Sequence, residues 1–334
     1  MADKFRALIT DRFDIHALAL LRGNPRFDIL QTAGPTPTSE ELAGAEALII
    51  RSRTKIDSEL LQKAPKLKVI ITATSGFDHI DLTETESRKL NVMYTPEANA
   101  ASACELTWAL VLACARRIPE AHRAIKGGEW KREALVGREL SGKTYGIVGL
   151  GRIGSRVAKV AVALGMKAIA LDPYKEDEHF AAVGATRVSL EEILRLSDVI
   201  SFHVPSTPET QYLLGRNFLE TMNPDIILVN TSRGSLVSEK DLIEALANRW
   251  IAACGLDVFE REPLSRQSQL LSFPNVVLTP HLGATTKEAF SAGSMEAAEK
   301  LIAFVASGAV SDSLPPQEPW WAAGFGRTAP AGKS

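Results

Sequence analysis

The sequence predicts an α/β protein built on doubly wound parallel sheets and divided into two domains. Three observations carry this. Short β-branched runs alternate with helical segments along most of the chain. At 334 residues the chain exceeds what one ordinary core organises. A Gly-x-Gly-x-x-Gly run, from Gly149 to Gly154, closes a strand pattern and opens a helix pattern.

The first third offers strands at Phe5–Thr10, Ala47–Arg51, Lys68–Thr72 and Val92–Tyr94, with short helical pieces such as Ser58–Lys63 between them. Ala100–Arg117 is rich in Ala and Leu and apolar on most faces, so it predicts a buried helix, a candidate for a subunit interface. Gly127, Gly128 and Gly137 then mark a loop-rich arm. A second alternation runs through Thr144–Val148, Ala168–Leu171, Val199–His203, Ile226–Asn230, Ile251–Leu256 and Val276–Leu278. Capping-box starts are expected at Ser189 with Glu192, Ser238 with Asp241, and Thr285 with Glu288. A last helix is expected from about Lys287 to Ala306. Beyond Gly308 the chain turns rich in Pro, Gly and Ala, which predicts a poorly ordered tail unless Trp320 and Trp321 pin it down.

Composition narrows the function. Hydrophobic residues make up 45%, charged residues 23%, and the net charge is −2. Such a balance gives no general attraction for nucleic acid or an anionic membrane. No apolar run approaches the roughly 18 residues needed to span a bilayer. The start, through Asp3 and Lys4, carries no signal-peptide pattern. Cys104, Cys114 and Cys254 sit among apolar neighbours without CxxC spacing, which reads as reduced buried thiols in a cytoplasmic protein and gives no metal site.

The glycine run Gly149-Leu150-Gly151-Arg152-Ile153-Gly154 is the fingerprint of a Rossmann-type dinucleotide site. Its first glycine permits the tight turn, and its second lets the backbone approach a pyrophosphate. The third allows close helix–strand packing, with the phosphates at the helix N-terminus. Asp172 ends the next strand, near the ~20-residue offset where a carboxylate binds both ribose hydroxyls. It would repel a 2′-phosphate, and Lys175 is the one cation nearby, so NAD is expected over NADP.

Three further segments follow strands of the same sheet: Asn230–Gly234, Gly255–Pro263 and Thr279–Gly283. Ligands of open α/β sheets bind outside the carboxyl ends of the strands. Arg233, Glu262 and His281 are therefore expected to share one crevice. Hydride transfer to a carbonyl needs a proton donor, and an imidazolium suits that near pH 7. A carboxylate beside it fixes its orientation and favours its charged form. A guanidinium can grip a substrate carboxylate in bidentate fashion. His203 also ends a strand, and periodicity does not choose between the two histidines.

These segments, with the glycine run and Asp172, resemble the D-isomer-specific 2-hydroxyacid dehydrogenase family over about residues 5–306. The resemblance implies His281 as acid/base, Glu262 as its partner and Arg233 as substrate anchor. It implies Arg152, Ile153, His203, Thr231 and Asp257 beside the cofactor. It also implies a Rossmann-type NAD-binding domain, residues 99–284, inserted into a smaller flavodoxin-like substrate domain. That second domain would comprise residues 1–98 and a returning helix within 285–310, leaving 311–334 as tail. Family members are typically homodimers built around the region matching Ala100–Leu140.

Within the family the loops are most similar to the branch acting on 3-phosphoglycerate. Arg51-Ser52-Arg53-Thr54-Lys55 resembles its first-domain substrate loop. Ser75-Gly76-Phe77-Asp78-His79-Ile80-Asp81 resembles the loop whose amides hold the substrate carboxylate, and Asn99–Glu105 resembles the hinge. Gly128–Arg132 and His281–Glu288 match as well. Substrate contacts are thereby expected from Arg51, Ser75, Gly76 and Asn99 besides Arg233. One departure matters: Thr72 stands where many members of that branch carry a phosphate-binding Arg. No regulatory domain follows in these 334 residues, so serine feedback through one is not expected. A glyoxylate or hydroxypyruvate reductase is the alternative of the same class. A dinucleotide-sensing scaffold, like the corepressors that share this fold, is the alternative of another class.

Overall fold

The computed structural model describes residues 4–316. Trp320 and Trp321 lie outside the described residues. The chain divides into two compact units, one comprising residues 4–100 with 284–316 and the other residues 101–283.

The first unit holds five parallel strands: β1 (Phe5–Ile9), β2 (Phe27–Gln31), β3 (Ala47–Ile50), β4 (Val69–Thr72) and β5 (Asn91–Tyr94). Their order is β2-β1-β3-β4-β5, the flavodoxin-like order. Every residue of β3 and β4 is buried, as expected for parallel strands covered on both faces. Ala7, Ile9, Ile49, Ile71 and Met93 face one core with Ala297, Ala298 and Leu301 of the helix Lys287–Ser307. Leu8, Leu48, Ile50, Ile70 and Val92 face the other.

Seven parallel strands make the second sheet: β6 (Thr144–Val148), β7 (Lys167–Leu171), β8 (Ala185–Arg187), β9 (Val199–Phe202), β10 (Ile227–Asn230), β11 (Ala253–Leu256) and β12 (Val276–Leu278). Their order is β12-β11-β10-β9-β6-β7-β8, so the winding reverses between β6 and β9. Tyr145 and Ile147 pack with Trp108 and Val111 of the helix Ala100–Ala115 on one face. Ile200, Phe202 and Leu228 pack with Ile193, Leu219 and Leu242 on the other.

Several elements differ from the sequence reading. β2 and β8 are additional strands, both at sheet edges. The helix expected to reach Arg117 stops at Ala115, and a second helix, Ile118–Lys126, fills part of the expected arm. Arg117 takes a left-handed φ of 53°, and Pro119 stands in the first turn of the new helix, where its missing N–H costs nothing. The last helix is capped by Thr286, whose hydroxyl accepts from Ala289 N, rather than by Thr285. Ser189 forms the full reciprocal capping box with Glu192; Ser238 caps through Asp241 N. The first residues of the expected tail are ordered onto the first unit. Ser313 bridges Met93 antiparallel, Leu314 is buried, and Lys300 Nζ reaches Asp312 at 2.5 Å and Glu296 at 3.1 Å. No described helix is long and apolar enough to cross a membrane.

Candidate active site

In the second unit the glycine run turns the chain from β6 into the helix Arg152–Ala163, at the switch between β6 and β9. Two of the three glycines are required by the packing of the protein itself. Gly149 has φ 91°, and a Cβ there would meet the His203 backbone at 2.8 Å. At Gly154 a Cβ would fall 2.0 Å from the Gly149 carbonyl, so helix and strand touch there. Gly151 has nothing within 4 Å of a Cβ position and caps the helix with no side-chain bond to its first amides. Open backbone and uncapped amides at the end of a twelve-residue helix fit the pyrophosphate of a dinucleotide.

Asp172 follows β7 and is 8% exposed. Its carboxylate accepts from Leu150 N at 2.8 Å and Tyr174 N at 3.0 Å, which ties it to the glycine loop itself. Replacing Asp172 by Ala is expected to weaken NADH more than NADPH, narrowing the ratio of their kcat/KM values. A wild-type preference for NADPH would contradict this reading.

The two candidate histidines sit in opposite electrostatic environments. His203 Nε2 is bonded to Ser201 Oγ at 2.8 Å, and desolvation pushes its imidazole down to about 3. Desolvation thus favours its neutral form. His281 Nδ1 lies 2.7 Å from Glu262 Oε2. That hydrogen bond and the carboxylate charge raise its pKa, against burial and the nearby Arg233. Burial pushes Glu262 up, but His281, the Phe259 amide and Arg233 outweigh it and leave it lowered. The pair thus favours imidazolium beside carboxylate, with Nε2 turned away from Glu262 and able to carry the mobile proton.

The turns that hold these groups are tightly built. Asn230, at the end of β10, donates from Nδ2 to Arg233 O at 2.8 Å and accepts Ser232 N at 3.0 Å. It shapes the turn that carries Arg233, in the manner of an Asx turn. Gly234 packs so closely on the next loop that a Cβ would overlap the Phe259 carbonyl carbon at 1.9 Å. That contact sets the spacing between the Arg233 turn and Glu262, whose Oε1 accepts Phe259 N at 3.1 Å. Thr231 is held by Thr107, hydroxyl to hydroxyl, at 2.7 Å.

Asp257 is fully buried, and its carboxylate is spent on the loop carrying His281. It accepts from Thr279 Oγ1 at 2.6 Å, Leu282 N at 2.7 Å and Gly283 N at 2.9 Å. Its own carbonyl accepts His281 N at 2.8 Å. His281 takes a left-handed φ of 55° within this clamp. The sequence reading missed Asn230, Thr279 and this use of Asp257. The signal available was a polar residue closing each of three strands.

The first unit carries the remaining candidates. Ser75 Oγ donates to Asn99 Oδ1 at 2.7 Å, and Thr74 Oγ1 donates to Gly76 O at 2.8 Å, so the loop after β4 is tied to the one after β5. Thr72 is fully buried and bonded to Thr74 and His79. The Arg51 guanidinium lies 4.7 Å over the Phe290 ring, with a buried Nη1 that has no hydrogen-bond partner. Arg53 is committed to Asp11, through Nε at 2.7 Å and through Nη2. Among the described residues no cluster of three or more His, Cys, Asp or Glu could hold a metal ion.

Fold, glycine loop and strand-end polar cluster together define a dinucleotide-binding α/β protein. Residues 108–283 match the model of the D-isomer specific 2-hydroxyacid dehydrogenase NAD-binding domain. The chain is 40% identical to a glyoxylate reductase of Aeropyrum pernix over 319 residues, covering 92% of this chain and 95% of that one. It is also 40% identical over 297 residues to a D-3-phosphoglycerate dehydrogenase of Methanocaldococcus jannaschii, covering 89% of this chain and 56% of that one. The chain thus spans about half the length of the phosphoglycerate dehydrogenases it matches. Among solved structures, D-lactate dehydrogenase from Aquifex aeolicus, complexed with NAD and lactic acid, superposes with a TM-score of 0.81 at 30% identity, over 90% of this chain and 95% of that one. The chain belongs to the D-isomer specific 2-hydroxyacid dehydrogenase family. It carries that family's NAD-binding domain, so its cofactor is NAD.

Proposed function

We propose that the chain is an NAD-dependent oxidoreductase that interconverts a D-2-hydroxy acid and its 2-oxo acid, with 3-phosphoglycerate as the substrate. The observation that carries the chemistry is the 2.7 Å pair of His281 and Glu262 within the field of Arg233. When bound, the nicotinamide gives or takes a hydride at C2. In the reducing direction His281 donates its Nε2 proton to the oxygen on C2, while Glu262 holds the ring by Nδ1 and stabilises its charge. Arg233 grips the substrate carboxylate and polarises the adjacent carbonyl. In the oxidising direction neutral His281 takes the hydroxyl proton. Glycine-loop amides and Asp172 hold the cofactor, with Arg152, Ile153, His203 and Thr231 beside it. Ser75, Gly76 and Asn99 contribute to carboxylate binding, and Arg51 to binding the far end of the substrate.

Arg51 supports the phosphorylated substrate: a buried guanidinium nitrogen with no partner invites an anion, and charge-assisted bonds are worth about 1.5–3 kcal/mol each. Two observations favour the reductase reading instead: the neutral, fully bonded Thr72, and the near full-length match to a glyoxylate reductase. The test compares kcat/KM for 3-phosphohydroxypyruvate and hydroxypyruvate, which share the reacting centre. The phosphorylated acid should win, and Arg51→Ala should erase most of that advantage. Equal or better use of hydroxypyruvate moves the assignment to the reductase. Absence of turnover with any 2-oxo acid would favour a scaffold.

We further propose a cytoplasmic homodimer. The helix Ile118–Lys126 buries none of its residues, and Ile118, Ile125, Trp130 and Val136 are all exposed around it. An apolar surface of that extent is a candidate for self-association. The three cysteines are free and buried, consistent with a reducing compartment.

A further inference from the structure

We infer that His179 and Ser155 are positioning residues for the cofactor: together they hold one peptide unit of the glycine loop in the orientation that receives the pyrophosphate. This rests on the proposal that the glycine loop holds the cofactor, and extends it to two residues that neither motif nor resemblance singled out.

Leu150 lies between Gly149 and Gly151, at the turn from β6 into the helix Arg152–Ala163. Its amide donates to Asp172 Oδ2 at 2.8 Å. Its carbonyl is held as firmly. Ser155 Oγ donates to Leu150 O at 2.8 Å, and His179 Nε2 lies 2.9 Å from the same oxygen. A carbonyl oxygen only accepts, so Nε2 carries the proton in that contact. Ser155 Oγ and His179 Nε2 are themselves 2.9 Å apart, so the three atoms close on one another. Leu150 O thereby uses both of its lone pairs. Core packing fixes the donors. Phe180, next to His179 on the helix Asp177–Ala182, is buried in one core with Val157, Ala158 and Ala161 of the helix that carries Ser155.

Peptide geometry turns this grip into a function. The Leu150–Gly151 bond is trans, so the Gly151 N–H points opposite to the Leu150 C=O, away from His179 and Ser155. A peptide unit beside glycine rotates at little steric cost. Released from its two donors, Leu150 O could turn outward and set a carbonyl oxygen where phosphates need N–H groups. Held inward, it leaves the loop ordered before the cofactor arrives, so binding need not supply that ordering. The space over the loop is open: a Cβ at Gly151 would meet nothing within 4 Å. His179 and Ser155 therefore act through the loop backbone, on the pyrophosphate half of the dinucleotide.

The experiment measures dissociation constants for NADH, ADP-ribose and adenosine in wild type and variants. His179→Leu should weaken NADH and ADP-ribose about fivefold each, the scale of one net hydrogen bond, and leave adenosine near the wild-type value. His179→Gln should recover most of that loss, because its side-chain amide still donates. Ser155→Ala should weaken the same two ligands, so the outcome does not hang on one variant folding. Unchanged affinity for NADH and ADP-ribose in both His179→Leu and Ser155→Ala would overturn the inference, and so would an equal loss for adenosine. Gly151→Ala tests the loop placement separately. At a φ of −74° with open space around it, an alanine fits the free protein, and its methyl would stand where the pyrophosphate is proposed to lie. Weak NADH binding by Gly151→Ala, with His179→Leu and Ser155→Ala unaffected, would keep the loop placement and refute the role of the pair. Wild-type NADH binding by Gly151→Ala would remove the loop placement, and the inference with it.

Discussion

Replacing His281 by Gln is expected to lower kcat by about 10²–10⁴-fold while NADH binding stays near the wild-type value. The loss follows from removing the imidazole that Glu262 holds by Nδ1 and whose charged form it favours. The backbone complicates the choice of variant. His281 has a φ of 55°, a conformation that Gln adopts less readily than Asn does. His281→Asn is therefore the companion variant, and the two should lose activity alike. Should Gln alone be inactive, backbone strain rather than lost chemistry would explain it. His203→Gln should do less to the chemical step, because His203 is already neutral and bonded to Ser201. A reversed ranking of the two histidine positions would refute the assignment.

Asp257→Ala is expected to have the largest effect on stability together with a large effect on rate. The substitution strips the acceptor from Thr279 Oγ1, Leu282 N and Gly283 N inside a fully buried site. Each donor left unsatisfied costs about 1–3 kcal/mol, so a destabilisation of roughly 3–5 kcal/mol is expected. For a unit of this size that is a fall in Tm of roughly 10 °C. Because the same clamp sets the left-handed backbone at His281, kcat should fall by more than NAD affinity does. Asp257→Asn refines the test: the side chain keeps its volume but turns one acceptor into a donor that faces backbone N–H groups. A loss confined to NAD affinity, with kcat unchanged at saturation, would return Asp257 to a cofactor contact, as the family resemblance implied.

The elements that the sequence made legible were those written as short apolar, largely β-branched runs. β6 and β12 have the expected bounds, and the glycine run stands at the expected strand–helix junction. β3 and β4 were visible as such runs, and every residue in them is buried. β2 and β8 were not, because polar and charged residues interrupt their runs: Asp28 and Gln31 in β2, Thr186 and Arg187 in β8. The helix Ile118–Lys126 was hidden as well, since none of its residues is buried and a left-handed Arg117 separates it from the helix before. At the site, residue type and strand position sufficed to nominate Arg233, Glu262 and His281. They did not choose between His203 and His281, which differ by hydrogen-bond partner and desolvation rather than by anything in the local sequence. Nor did they reveal that Asp11 occupies Arg53 while Arg51 keeps a buried nitrogen unpaired, since that depends on contacts 42 residues apart.

The proposed chemistry requires Glu262 to hold His281 as an imidazolium, and a pH–rate comparison of wild type with Glu262→Gln tests this most directly. Reduction of the 2-oxo acid needs protonated His281, so its rate should hold at low pH and fall as pH rises through the His281 pKa. In the wild type that limb lies above the ordinary imidazole value of 6.5, because the hydrogen bond and charge of Glu262 outweigh burial and Arg233. Without the carboxylate, the opposing effects of burial and Arg233 remain. The limb should then move to lower pH, and so should the rising limb of the oxidation reaction. Limbs that stay in place in both directions, with the variant folded and binding NADH, would contradict the account.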